Sequence, residues 1–145
     1  MKRSEFDFES DLAFGEQSEE FVKSCLAGIA SGSFEVKTDR YRNGRMVVET
    51  QQNPLGMRDH NGEPKWVDSG INVTQAKWWV YVFAENDSLL IVSVERLRRY
   101  LRGNKKKFNN STKKFFAAGS DNPAKGFLLM KDDVVEMMTD QKYDS

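Results

Sequence analysis

The chain has 145 residues, 39% of them apolar and 30% charged, with a formal net charge of zero. That length makes one domain, 1–145, with room for a real core, and no apolar run approaches the roughly 20 residues of a membrane span. One cysteine, Cys25, permits no internal disulfide. One histidine, His60, rules out a Cys/His zinc site by count and weakens a Ser-His-Asp reading.

The zero net charge hides an uneven distribution. Residues 1–20 carry two basic and seven acidic side chains, whereas residues 95–114 carry nine basic and one acidic. Such asymmetry is more informative than the total and points to a polyanion as partner for the basic segment.

Residues 1–13 read as a lead-in without an apolar h-region, which argues against a secretory signal and for a cytoplasmic location. From Gly15 to about Ala30, Phe21 or Val22, Cys25, Leu26 and Ile29 recur at helical spacing, with Ser31-Gly32 as the stop. Cys25 falls on the apolar face as a small hydrophobe. Glu16, Glu19 and Glu20 lie in the first turns, where acids suit a helix N-terminus.

Phe34 to Gln52 reads as two strands joined at Asn43-Gly44. A three-residue loop, Asn43-Gly44-Arg45, sets Asp39 opposite Glu49 and Lys37 opposite Gln51. Val47, Glu49 and Gln51 then share a face. Two carboxylates about 5 Å apart at Cβ are unfavourable when both are ionised unless a cation lies between them, and a hard divalent ion with oxygen ligands relieves that. The plain alternative is a surface hairpin whose charges pair with one another.

Asp39, an intervening turn and apolar run, then Glu49-Thr50-Gln51 resembles the signature of the PD-(D/E)XK nuclease superfamily. The stretch TDRYRNGRMVVETQQ is similar in particular to phage Holliday-junction resolvases of that superfamily, over roughly the first ninety residues. Thr38 stands where the family often has proline, and Gln51 where its catalytic lysine is expected. The resemblance implies an α/β, restriction-endonuclease-like core: a mixed central sheet flanked by helices, here with a basic C-terminal extension. It implies Mg²⁺ or Mn²⁺ held by Asp39, Glu49, the Thr50 carbonyl and a glutamate of the first helix, Glu19 or Glu16. Lys37 would polarise the attacking water in place of the missing lysine, and Gln51 would do so less well, since an amide neither takes a proton nor carries charge. It also implies DNA, duplex or branched, as substrate, and by analogy a homodimer.

Gln52 to Gly70 is a long polar loop rich in turn residues, in which Trp66 is either a base-stacking surface or a core contact. Asp68 to Lys77 reads as a short helix, with Ser69, Thr74 and Lys77 as weaker candidates to face the site. Trp78–Phe83 is a buried strand, Asn86-Asp87 a turn, and Ser88–Val92 the partner strand. Ser93 caps a helix that Gly103 stops, with Val94, Leu97, Tyr100 and Leu101 inward and Arg96, Arg99 and Arg98 outward.

Lys105, Lys106 and Lys107 with Phe108, then Lys113 and Lys114 with Phe115-Phe116, alternate cations with aromatics. Together with Arg96, Arg99 and Arg102 they form the expected phosphate-contacting footprint. Gly119–Gly126 reads as a loop and Phe127–Met130 as a strand. Asp132 or Asp133 opens a last helix, and the residues after Thr139 read as a frayed tail. Two functions compete: a metal-dependent DNA endonuclease, and a nuclease-fold protein that binds nucleic acid without cutting it.

Overall fold

Helix α1 spans Phe8–Ala30, starting at Phe8 rather than Gly15. This computed structural model describes residues 8–39, 44–83, 88–108, 113–116 and 122–145. The turns expected at Asn43 and at Asn86-Asp87, the lead-in before Phe8, and residues 119–121 of the expected loop lie outside these residues, as do the side chains of Lys113 and Lys114. The stop of α1 is as expected. Gly32 takes φ +81°, its amide donates to the Ile29 carbonyl, and Ser33 N donates to Gly28 O, so these two carbonyls of the last turn are satisfied.

The strands then part company with the expected hairpin. β1 (Phe34–Thr38) pairs in parallel with β4 (Trp78–Phe83), Phe34 opposite Trp78 and Lys37 opposite Tyr81. β5 (Ser88–Ser93) completes that sheet, antiparallel to β4, in the order β1-β4-β5. β2 (Met46–Gln52) belongs to a second, antiparallel sheet with β3 (Val67–Asp68), β6 (Lys113–Phe116) and β7 (Ala124–Leu129), in the order β3-β2-β7-β6. Two sheets thus replace the single mixed sheet, and Asp39 does not oppose Glu49 across a ladder. The reason is non-local: β1 gains a full parallel ladder against an apolar strand forty-odd residues later, which a tight turn at Gly44 cannot supply.

The expected short helix over 68–77 is one 3-10 turn, Gly70–Asn72, and Val67–Asp68 before it is strand β3. Lys113–Phe116, read as a basic run, is strand β6, and β7 begins at Ala124, inside the expected loop.

Helix α2 (Val94–Gly103) follows β5 directly, and Ser93 Oγ accepts from Arg96 N at 3.0 Å as its cap. A helical turn, α3 (Lys105–Lys107), continues it. Helix α4 (Lys131–Thr139) opens with the Asp133 carboxylate accepting from Met130 N at 2.8 Å. The end of the chain is not frayed. It forms a 3-10 turn, Gln141–Tyr143, and Tyr143 is buried against Tyr100 with ring centroids 5.0 Å apart.

One hydrophobic cluster draws on both sheets and on helices α2 and α4. Trp79 and Tyr81 come from β4, Met46 and Val48 from β2, Leu129 from β7, Leu97 and Tyr100 from α2, Phe108 from just after α3, and Met137 from α4. Each such side chain contributes about 1.5–3 kcal/mol on burial. Tyr81 also ties the sheets together, its hydroxyl accepting from Val47 N at 3.2 Å. The protein is therefore an α/β chain of one mixed sheet, one antiparallel sheet and helices. Among the described residues no helix is long and apolar enough to cross a membrane.

α1 covers the opposite face of the first sheet. Trp78 meets Phe21 edge-on at 5.7 Å, and a Cβ on Gly28 would stand 2.5 Å from the Trp78 indole nitrogen, so the helix crosses there only because residue 28 is glycine. Cys25 is buried on this face, and desolvation pushes its thiol up, as suits a packing residue rather than a nucleophile.

Candidate nucleic-acid interface

The acids expected to hold a metal fall on different surfaces. Glu16 and Glu19 are exposed on α1, which packs on the Trp78 side of the β1-β4-β5 sheet. Lys37 pairs with Tyr81 and holds its ammonium 5.8 Å from the Trp79 ring, so it lies on the other side. Asp39 extends the same alternation, its amide donating to Val82 O at 2.9 Å. It is buried, and its Oδ2 accepts from Gly44 N at 3.1 Å, which fixes the chain as it enters β2. Lys37 faces Glu35 at 3.7 Å rather than Gln51, because β1 and β2 are not neighbours.

Glu49 and Gln51 are separated in turn by a bulge. Glu49 pairs with Gly126, but Gln51 pairs with Lys125. Cross-strand partners share a face, so Glu49 lies on one face of β2 while Gln51 lies on the other, beside Lys125 and Phe127. The Thr50 carbonyl already accepts two hydrogen bonds, from Ser69 N at 2.9 Å and Asn72 Nδ2 at 3.1 Å, which uses both its lone pairs. Gly70 presses against the same bend. At φ +53° a Cβ there would fall 2.2 Å from the Glu49 carbonyl oxygen. The Thr50 carbonyl is thus already satisfied, and among the described residues no three His, Cys, Asp or Glu side chains could hold a metal ion together.

The basic segment divides by helical phase. Arg96 donates to the carbonyls of Met137 and Asp140, at 2.7 Å each, and pairs with Asp144. Arg99 donates to Tyr143 O at 2.7 Å and approaches Glu95 at 3.8 Å. Both were expected outward; both instead hold the C-terminal turn. Lys107 is paired with the buried carboxylate of Asp133. Arg98 donates to Ile71 O and Thr74 O, locking the Gly70–Asn72 turn against α2. Trp66 is half-buried with the Lys125 ammonium 4.3 Å from its ring, so one face of the indole is taken.

Arg102, Lys105 and Lys106 remain exposed, and among the described residues none makes an ion pair or a side-chain hydrogen bond. Arg102 and Lys105 line a hollow of about 570 Å³ between α2, β2 and the Gly70–Asn72 turn. Arg98 adds a third cation to its wall, Gln51 and Asn72 add carboxamides, and among the described residues no carboxylate lines it. The spacing of Arg98, Arg102 and Lys105, four and then three, places them on one stripe, and that stripe was the available sequence signal. Asn72 and Phe127, also in the wall, carried no such signal.

Comparison with known proteins finds no matching family model, no matching curated protein and no matching solved structure.

Proposed function

We propose that this chain binds nucleic acid through the cleft between α2, β2 and the Gly70–Asn72 turn. One observation carries the reading: among the described residues three cations and no carboxylate line a single concave surface, on a chain of zero net charge. Low-dielectric walls focus such a field, and a phosphate backbone is the polyanion whose repeated charge it suits. A restriction-endonuclease-like core adapted to binding is the finer fold reading that goes with this proposal, supported by the resemblance around Asp39 and Glu49-Thr50-Gln51. Metal-dependent cleavage of DNA is supported by that resemblance alone, and the separated acids give it no help.

The test is binding of fluorescent oligonucleotides across a salt series. Affinity should fall steeply with salt, and the double variant Arg102→Gln/Lys105→Gln should bind more weakly at low salt. No binding at low salt, or an unaltered double variant, overturns the reading. The same samples with Mg²⁺ or Mn²⁺ score cleavage; cutting that Asp39→Asn abolishes while binding persists would restore the endonuclease.

A further inference from the structure

We infer that the cleft takes one unpaired nucleotide of a single strand, with its base inside the hollow and its phosphate at the rim. The inference rests on the nucleic-acid reading above and specifies its substrate. A duplex offers phosphates and stacked bases, for which a shallow positive surface suffices. This surface is instead a hollow of about 570 Å³, within the size range of small-ligand sites, and Ile71, Leu101 and Phe127 give part of its lining an apolar character. The Phe127 ring packs on one side against Phe108, with centroids 5.6 Å apart and planes at 41°, so a core aromatic holds it in place. A preset aromatic face with cations around it is the arrangement that stacks splayed-out bases.

Two carboxamides in the wall stand ready for a base edge. Gln51 donates through Nε2 to Asp68 Oδ1 at 3.3 Å, and Asn72 donates through Nδ2 to Thr50 O at 3.1 Å. Both partners are acceptors only, which sets the orientation of each amide and leaves each amide oxygen unspent. The bulge supplies this geometry, because it turns Gln51 away from the face of Glu49 and onto the Phe127 face. Arg102 and Lys105 lie at the α2 side, where a phosphate attached to the bound base would pass.

The experiment compares a fluorescein-labelled 12-nucleotide single strand, the same sequence as a blunt duplex, and adenosine monophosphate as competitor, on the full chain. The single strand should bind about tenfold more tightly than the duplex, the scale of one stacked base. The monophosphate should displace it only at concentrations well above those of the strand. Phe127→Leu should lower single-strand affinity more than duplex affinity and so narrow the preference; Gln51→Ala, whose side chain is not part of the hydrophobic cluster, should narrow it as well while urea unfolding stays close to the parent. Equal or tighter duplex binding, or a preference untouched in both variants, overturns the single-nucleotide proposal while leaving the basic cleft standing. A monophosphate that binds as tightly as the strand overturns it in favour of a free nucleotide ligand. If neither strand nor duplex binds, both readings fall.

Discussion

Arg96 and Arg99 sit three residues apart on α2 and turn inward, whereas Arg102 and Lys105, also three apart, turn outward into the cleft. In the sequence the four belong to one basic run. In the fold the first pair is spent on carbonyl oxygens at the end of α4 and in the last turn of the chain, and the second pair is left to solvent and ligand. The difference teaches that charge density along a chain is not a binding footprint. A helix distributes consecutive cations around its axis, and those that meet orphan carbonyls become struts. A guanidinium suits that work, since its planar fork reaches two acceptors at once.

The largest break in this comparison should come from the object the inward arginines hold. Tyr143→Ala removes a buried ring against Tyr100 and the hydroxyl that accepts from Asn104 Nδ2 at 2.9 Å, and should cost about 3–5 kcal/mol in urea unfolding. Arg96→Ala should cost about 2–3 kcal/mol, because the carbonyls of Met137 and Asp140 lose a charged donor, and oligonucleotide affinity should be unaltered. The outward pair reverses the pattern. Arg102→Gln/Lys105→Gln should unfold within about 0.5 kcal/mol of the parent. Its plot of log affinity against log salt should flatten by about two units, one per cation removed.

The smallest effect is read by pH. Burial first, then the nearby Asp133 carboxylate, hold the Tyr100 phenol well above its ordinary value near 10. A group raised in the folded state favours folding below its unfolded pKa and loses that contribution as pH climbs beyond it. Stability should therefore decline above pH ~10, and Tyr100→Phe should lessen that decline without altering binding at neutral pH.

Elements with local signals were legible. Trp78–Phe83 pairs with the strand read as Ser88–Val92, which runs one residue further to Ser93, and the Ser93 cap and the buried side of α2 were there in the residue types. Pairing over distance was not legible. Phe34–Thr38 and Met46–Gln52 look like a hairpin because Gly44 follows one and precedes the other, and nothing local says that Trp78–Phe83 competes for the first. The candidate site suffered more. A single extra residue at Thr50 reverses every side chain after it, and the one hint lay on the partner strand, where Gly126 permits an approach of 2.3 Å between a would-be Cβ and the Val48 carbonyl. The phase of the arginines also escaped, since the carbonyls that capture Arg96 belong to residues about forty positions later.

Asn53 is nearly fully enclosed where β2 ends. Its amide nitrogen donates to Met57 O at 2.6 Å and Lys65 O at 2.7 Å, while its backbone N–H donates to Pro123 O at 2.8 Å. Both ends of the polar excursion from Met57 to Lys65 are thus buckled by one side chain, and Asp59 closes its tip by accepting from Asn61 N and Glu63 N. The excursion is exposed along its length yet tied at its base and at its tip by these hydrogen bonds. An insertion at the exposed tip, Asn61-Gly62, should therefore leave the Asn53 clasp and the cleft undisturbed, which makes that tip the natural place to attach a reporter.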